Sequence, residues 1–120
     1  MRYEYINETK TWNEADEYCK ELGGYLVSIT SQIVNDKLLD IMRDIPVKQL
    51  WIGYSDQEKE NRWIWSNPGA VNNEFTKWRS SSDEPNGRKR ENCAVLIKSH
   101  VGIWNDLFCG SLLNSICEFS

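Results

Sequence analysis

Two short polar stretches in the second half of the chain contain oxygen-bearing side chains that could bind a hard metal ion. The candidate ligands are Glu84, Asn86 and Glu91 in the sequence EPNGRKRENC, and Asn105 and Asp106 in the sequence WND. Calcium prefers six to eight oxygen ligands from carboxylates, amides, carbonyls and water. All five side chains offer such an oxygen, so the sequence predicts a calcium site.

The charge of this predicted site suits a neutral ligand that carries several hydroxyl groups. The three carboxylates, from Glu84, Glu91 and Asp106, exceed the charge of one calcium ion by one. Two neighbouring sugar hydroxyls could each place a lone pair on the ion and donate a proton to Glu84 or Glu91. Each could also accept a hydrogen bond from the amide of Asn86 or Asn105. We therefore expect calcium and sugar to share one site.

Parts of this pattern have plainer explanations. Asn105 and Asp106 could form a turn after a buried Trp104, because Asn and Asp are frequent turn residues. Glu84 and Glu91 could form a glycosidase pair, but amides and a proline surround them rather than the apolar pocket that keeps a catalytic acid protonated. The sequence also lacks the common metalloprotease, hydrolase and nucleotide-binding motifs. An enzyme is therefore not predicted.

Composition favours one small domain and argues against two classes of partner. The chain has 120 residues, 40% of them apolar, and six tryptophans, so we expect a single domain over residues 1–120 with its own core. Its net charge of −4 gives no broad basic face for nucleic acid. No apolar run is long enough to span a membrane.

The cysteines indicate disulfides and an extracellular location. They contain no CxxC pair, and the single histidine, His100, offers little for a zinc site. The four cysteines are Cys19, Cys93, Cys109 and Cys117, which allow three sets of pairs. Because disulfides form in oxidising compartments, we expect a secreted protein or the ectodomain of a membrane protein. The glycosylation triplet Asn7-Glu8-Thr9 agrees with that location.

Two helices are predicted in the first half of the chain. Thr11 and Glu14 form a capping-box pattern at the start of the first, which ends at the Gly23-Gly24 pair. Ser31 caps the second helix, which Pro46 ends. The predicted core faces follow helical spacing: Trp12, Ala15, Cys19 and Leu22 in the first helix, and Ile33, the stem of Lys37, Leu38, Ile41 and Ile45 in the second.

From residue 50 onward, short β-favouring runs replace the helical pattern. They are LWIGYS, RWIW, CAVLI, GIW and SICEF, and an extended segment, YLVSI, precedes the second helix. The polar segment between Ser66 and Asn92 is predicted to form long ordered loops. Two helices followed by a set of strands indicate the α+β class. The tryptophans are expected to lie in the core rather than to stack on a sugar.

In their order and spacing, these fragments resemble the C-type lectin-like domain in its short form with four cysteines. The resemblance runs from Tyr5 to Phe119, through WNEADEYCKELGGYLVSITS, WIGYSD, EPN, ENC, WND and the last two cysteines. It implies two helices flanking small antiparallel sheets, a long calcium-binding loop region, and the disulfides Cys19–Cys117 and Cys93–Cys109. It also implies that the five oxygen-bearing residues bind calcium and sugar.

The resemblance further implies a class of sugar. In this family the order Glu-Pro-Asn is associated with mannose-type sugars, whose 3- and 4-hydroxyls are equatorial, and Gln-Pro-Asp with galactose. Glu84 and Asn86 therefore imply mannose, fucose, glucose or N-acetylglucosamine. The family also has a cis peptide bond at Pro85 when the site is formed. We expect glycans on glycoproteins or microbial surfaces as partners, and several copies of the domain for avidity, since one sugar site offers few contacts.

A second, auxiliary calcium site of the family would use Asp56 and Glu60. Two further carboxylates would be needed for it, at positions where this chain has Gly87 and Asn92. With fewer charges the ion is held weakly or not at all, so Asp56 and Glu60 are interpreted as solvated loop residues.

Two further alternatives concern the ligand. The basic residues 88–90, Arg-Lys-Arg, could contact a sulfate, a sialic acid or a phosphate, but three basic residues beside three acidic ones are also expected of a solvated loop. A lectin-like domain could also bind a protein, ice or another surface without sugar, because one fold supports many functions. Binding that survives removal of calcium would favour that alternative.

Overall fold

Two helices accompany a sheet of short strands in the computed structural model, which describes residues 1–58, 62–70, 73–78, 93–99 and 101–120. The helices are α1 (Trp12–Glu21) and α2 (Gln32–Arg43). The strands are β1 (Arg2–Lys10), β2 (Tyr25–Leu26), β3 (Gln49–Ser55), β4 (Ile64–Trp65), β5 (Cys93–Ile97), β6 (Ile103–Leu107) and β7 (Leu113–Phe119). A 3-10 turn, Pro68–Ala70, follows β4. The predicted α+β class is confirmed.

The strands of the described part of the chain form one connected sheet rather than separate small sheets. The order is β1-β7-β3-β5-β6, with β2 paired to β7 and β4 paired to β3. The contact between β3 and β7 is parallel, and the other strand pairs are antiparallel. The expected antiparallel sheets are thus one mixed sheet, with β1 and β6 at opposite ends of the order.

Helix α1 begins and ends where the sequence predicts. The Thr11 hydroxyl accepts a hydrogen bond from Glu14 N, and the Glu14 carboxylate accepts one from Thr11 N, so the capping box is complete. Trp12, Ala15 and Cys19 are buried as expected. The prediction for Leu22 was wrong: it is the C-cap residue, beyond the last helical turn, and its side chain is exposed.

Helix α2 has the predicted start but a rotated buried face. Ser31 Oγ accepts a hydrogen bond from Val34 N. The fully buried positions are Asn35, Leu38, Leu39 and Met42. Ile33 is 71% exposed and Lys37 is also exposed, so two members of the predicted face were wrong. Ile41 is half-buried, and so is Ile45, but Ile45 lies beyond the helix because α2 ends at Arg43 rather than at Pro46. The sequence pattern excluded the polar Asn35 from the core, although its amide is satisfied there.

Strand β1 was not predicted. It pairs with β7 from Arg2↔Phe119 to Ile6↔Ser115, and its side chains alternate between exposed and half-buried only over residues 2–5. Among its residues only Ile6 is buried. Backbone pairing with β7 and the packing of Tyr3 and Tyr5 against the core together hold the strand.

Both expected disulfides are present. Cys19–Cys117 joins α1 to β7, and Cys93–Cys109 joins the start of β5 to the segment after β6. None of the helices in the described ranges is long and apolar enough to cross a membrane.

The tryptophans lie mostly in the core, as predicted. Trp12, Trp51, Trp65 and Trp104 are buried, whereas Trp63 and Trp78 are half-buried. The buried indoles of Trp65 on β4 and Trp104 on β6 contact each other, and Trp104 also contacts Trp78 in the segment that follows β4.

Candidate metal centre

Two of the predicted calcium ligands, Asn105 and Asp106, lie on strand β6. They pair with Val95 and Ala94 of β5, so the alternative that they form a turn was wrong. Asp106 is 1% exposed and Asn105 is half-buried. Asp106 N donates to Asn105 Oδ1 at 3.0 Å, so the Asn105 amide oxygen lies against the backbone of the next residue. A carboxylate and an amide oxygen are thus held on adjacent residues of a regular strand.

Helix α2 fixes the position of this strand through Trp104. The Trp104 indole Nε1 donates to Asn35 Oδ1 at 2.9 Å, and Asn35 Nδ2 donates to the Gly102 carbonyl at 2.7 Å. Gly102 has a φ of +63°, and a β-carbon there would lie 2.8 Å from Asn35 Nδ2. Only glycine combines that backbone conformation with that close approach. The turn before β6 is therefore built around the Asn35 side chain.

The segment that contains the other three predicted ligands begins and ends against β6. On one side, Trp104 N donates to the Lys77 carbonyl at 2.8 Å, and Trp78 forms a β-bridge with Trp104. On the other side, Cys93 pairs with Leu107. Asn105 and Asp106 are the two residues between these anchor points. Glu84, Asn86 and Glu91 belong to residues 79–92 and lie outside the described residues.

An aromatic cluster lies beside the anchor at Trp78. The Tyr54 ring stacks on Trp65 with centroids 4.2 Å apart, and Trp63 meets Trp78 edge to face at 4.8 Å. The ring centroid of Trp104 lies 5.8 Å from that of Trp78 and 5.5 Å from that of Trp65, both in edge-to-face geometry. Such pairs contribute about 0.5–1.5 kcal/mol each beyond the area that they bury. The cluster gives β6 a rigid apolar support, and burial raises the pKa of the Tyr54 hydroxyl.

The structure corrects the interpretation of Asp56 as a solvated residue. Asp56 directly follows β3 and is 2% exposed. Its neighbour Ser55 pairs with Cys93, so this buried carboxylate lies at the same end of the sheet as Asp106, which pairs with Ala94. A solvated loop carboxylate was expected because the sequence alone does not show that the residue after β3 is buried.

Several other predicted residues lie outside the described part of the chain. They are Glu60 and Asn92 of the auxiliary site, Gly87, Pro85, the basic residues 88–90, and His100. Within the described ranges, no three His, Cys, Asp or Glu side chains are grouped closely enough to hold a metal ion. The described geometry thus contains one strand of the predicted site, the two flanks of its loop, and a second buried carboxylate nearby.

Sequence reasoning missed Asn35, which contributes to the site by positioning Trp104. A buried asparagine one turn inside a helix has no short motif, and its partners Gly102 and Trp104 are more than 60 residues away. The only available signal was that Asn35 lies three positions before Leu38, on the face that is buried.

The chain belongs to the C-type lectin family: a profile of the lectin C-type domain matches residues 8–119. The family is one of binding domains and not of enzymes, as the absence of enzyme motifs predicted. An α-N-acetylgalactosamine-specific lectin of Patiria pectinifera is 32% identical over 98% of this chain and 73% of its own length. A C-type lectin mannose-binding isoform of Notechis scutatus scutatus is 30% identical over 97% of this chain and 75% of its own length.

Solved structures show the same fold. The carbohydrate-recognition domain of the mouse scavenger receptor C-type lectin superposes with a TM-score of 0.82 at 26% identity, over 98% of this chain and 88% of that one. A calcium-independent type II antifreeze protein also gives a TM-score of 0.82, at 25% identity, over 96% of this chain and 82% of that one. The fold therefore occurs both in a sugar-recognition domain and in a protein that works without calcium.

Proposed function

We propose that this domain binds carbohydrate in a calcium-dependent manner, through Glu84, Asn86, Glu91, Asn105 and Asp106. The observation that carries the proposal is the position of Asn105 and Asp106 on β6, between the two points where residues 77–78 and Cys93 are held to that strand. The polar segment that contains the other three ligands therefore starts and ends beside them.

The donor set fits a calcium ion on chemical grounds. A buried carboxylate at Asp106 and an amide oxygen at Asn105 are hard ligands of the kind that calcium prefers, and no free thiol competes, since all four cysteines are in disulfides. When bound, calcium supplies a Lewis-acidic centre that accepts lone pairs from two sugar hydroxyls. The carboxylates of Glu84 and Glu91 accept the hydroxyl protons in hydrogen bonds, and the amides of Asn86 and Asn105 donate to the hydroxyl oxygens.

The proposed sugar class is the mannose type, with equatorial 3- and 4-hydroxyls. Its support is the order Glu84-Pro85-Asn86 in the sequence. The two sequence relatives differ in their sugars, one being specific for α-N-acetylgalactosamine and the other mannose-binding. Family membership alone therefore does not select the sugar, and the identity of residues 84 and 86 does.

Binding to clustered glycans with and without calcium tests this function. The purified domain is immobilised on beads to raise its avidity and incubated with mannose-, fucose- and galactose-bearing glycans, first in calcium and then in excess chelator. We expect chelator-sensitive binding to the mannose and fucose probes. Asp106→Asn should abolish it, whereas Asp44→Asn, which changes an exposed carboxylate at the end of α2, should not. Binding that persists in chelator would contradict the proposal.

A second candidate function is recognition of a protein or ice surface without sugar. It is favoured by the similarity to a calcium-independent type II antifreeze protein, which has the same fold. The bead experiment separates the two candidates. A folded domain that binds none of the glycans, with or without calcium, would support surface recognition.

We further propose that residues 1–120 form one domain that functions outside the cell. The support is the pair of disulfides, one of which joins residues 98 positions apart and so closes nearly the whole chain. A single cooperative transition in calorimetry is expected. Because one sugar site gives modest affinity, several copies of the domain are proposed to act together on a glycan surface.

A further inference from the structure

The triplet Asn7-Glu8-Thr9 is the only Asn-x-Ser/Thr sequence in the chain, and all three of its side chains are exposed. In a regular strand of a sheet with one covered face, successive side chains point to opposite faces, so three exposed residues in a row are unusual. The exposure has a structural cause in the pairing of β1 with β7.

The pairing of the two strands is interrupted at this triplet. Ile6 pairs with Ser115 and Lys10 pairs with Leu113, so β1 advances four residues while β7 advances two. The three residues Asn7, Glu8 and Thr9 of β1 thus lie opposite a single residue of β7, Asn114, and form a bulge with two extra residues. A bulge releases its residues from the ladder and bends the strand outward.

The Ile6 carbonyl beside the bulge is satisfied by β7 and not by the Asn7 side chain. Asn114 Nδ2, from β7, donates to the Ile6 carbonyl at 3.0 Å. The Asn7 Oδ1 atom accepts one long hydrogen bond, from the exposed Tyr5 hydroxyl at 3.4 Å. Within the described residues, Asn7 Nδ2 donates to no group. Modification of that nitrogen therefore breaks no contact that the fold uses.

The bulge lies far from the candidate metal centre. β1 is at one end of the strand order and β6, with Asn105 and Asp106, is at the other. Four strand spacings of about 4.8 Å separate them, or about 19 Å. In the described part of the chain β1 pairs only with β7, so its outer edge is open. Open edges are prone to pair with other chains, and a bulky polar group on the edge prevents this.

We propose that Asn7 is an N-glycosylation site whose glycan covers the open edge of β1 and leaves the sugar-binding end of the domain clear. In the reaction, Asn7 Nδ2 attacks C1 of the reducing-end N-acetylglucosamine of a polyprenyl-diphosphate-linked oligosaccharide. The C1–Nδ2 bond forms, the bond from C1 to the diphosphate oxygen breaks, and the polyprenyl diphosphate leaves. The nitrogen loses one proton to a base of the transferase, and no group is oxidised or reduced. Thr9 supplies the hydroxyl that the transferase requires.

Mass spectrometry of the full chain tests this site. The chain is expressed behind a secretion signal in cultured animal cells, and its intact mass is measured before and after treatment with peptide N-glycosidase. We expect most molecules to lose mass on treatment and to carry aspartate at position 7 afterwards. Asn7→Gln and Thr9→Ala should each abolish the mass loss completely. Thr9→Ser and Glu8→Gln keep the triplet and should retain it.

The readout includes chain retained inside the cells, so poor secretion of a variant does not hide the result. A wild-type chain with both disulfides formed and an unmodified Asn7 in most molecules would overturn the proposal. So would a mass loss that persists in both Asn7→Gln and Thr9→Ala. Thermal melting of the enzymatically deglycosylated wild type should match that of Asn7→Gln, because the Asn7 amide stabilises little. None of these readouts depends on sugar binding by the domain.

Discussion

Asn35 Oδ1 accepts a hydrogen bond from Trp104 Nε1 at 2.9 Å, which joins a fully buried amide on α2 to the residue directly before Asn105 and Asp106. The same amide donates to the Gly102 carbonyl at 2.7 Å. The Asn35 side chain therefore holds both the turn before β6 and the buried Trp104 indole on that strand. The register of the candidate ligands depends on a helix that contributes no ligand.

Asn35→Ala should lower both stability and calcium affinity. The substitution leaves the Trp104 indole Nε1–H and the Gly102 carbonyl without their Asn35 partner in the core, and each unsatisfied buried group costs about 1–3 kcal/mol. Urea unfolding measures the loss of stability, and calorimetric titration with calcium measures the loss of calcium affinity. Asn13→Ala is the matched control, since the exposed Asn13 amide bonds only with the Gln57 side chain. An Asn35→Ala variant with wild-type stability would contradict the claim that these two buried hydrogen bonds stabilise the domain.

Gly24→Ala should destabilise the domain, although Gly24 follows a helix and its φ is not positive. A β-carbon at Gly24 would lie 2.6 Å from Phe119 Cδ1 and closer still to the Glu118 carbonyl, so β7 would have to shift. Overpacking of this kind typically costs about 1–3 kcal/mol. In Gly69→Ala the nearest atom is the end of a half-buried side chain, Asn67 Oδ1 at 3.3 Å, and a change within about 0.5 kcal/mol is expected. Equal losses in the two variants, measured by urea unfolding, would contradict this account.

The two disulfides should differ in what their removal costs. In the loop-entropy model, a bridge over a sequence separation of 16 residues contributes about 3 kcal/mol and one over a separation of 98 residues about 4.7 kcal/mol. Cys19→Ala with Cys117→Ala should therefore unfold the domain more easily than Cys93→Ala with Cys109→Ala. The second pair, at the start of β5 and just after β6, should instead cause the larger loss of calcium affinity in protein that is still folded. Calorimetric melting of both double variants tests the predicted order of stability, and calcium titration of both tests the predicted order of calcium affinity.

Tyr54 should contribute to loss of stability at high pH. Burial raises the pKa of its hydroxyl above the ordinary value of about 10, so the folded state keeps a proton that the unfolded state releases. The stabilising effect is complete below pH 10 and is lost between pH 10 and the higher folded pKa, with a slope of up to about 1.4 kcal/mol per pH unit. Tyr54→Phe keeps the ring and should flatten that part of the profile. Lysine titration is common to both proteins, so identical alkaline slopes in urea unfolding would exclude this role for Tyr54.

Sequence patterns predicted the elements whose signals are local. The Thr11-Glu14 capping box and the Ser31 cap gave the helix starts, because capping depends on residues within one turn. The β-favouring runs gave β3, β5, β6 and β7 for the same reason. Strand β1 was not predicted, because its β-favouring residues are few, Tyr3, Tyr5 and Ile6, and polar residues follow them.

The ligands of the candidate site were predicted from residue type and order, whereas the buried polar residues around them were not. Asn105 and Asp106 were recognised as ligands from the WND fragment, and the structure shows them on a strand. The burial of Asp56 and Asn35 could not be predicted, since a polar side chain is buried only when distant segments satisfy it. Burial of polar groups is a property of the tertiary structure, and no window of neighbouring residues contains the partners.

Calcium should stabilise the folded domain by an amount that depends on its concentration, and Asp106→Asn should remove that effect. A ligand that binds only the folded state adds about 2.7 kcal/mol at 100 times its dissociation constant, because unfolding must release it. Thermal melting is measured for each protein in chelator and at rising calcium concentration, so that any intrinsic cost of replacing the buried Asp106 cancels within each pair of curves. Wild type and Asp44→Asn should show rising melting temperatures with added calcium, and Asp106→Asn should show none. A calcium-dependent rise of equal size in Asp106→Asn would mean that the stabilising ion is held by other residues, and that β6 does not carry the metal centre.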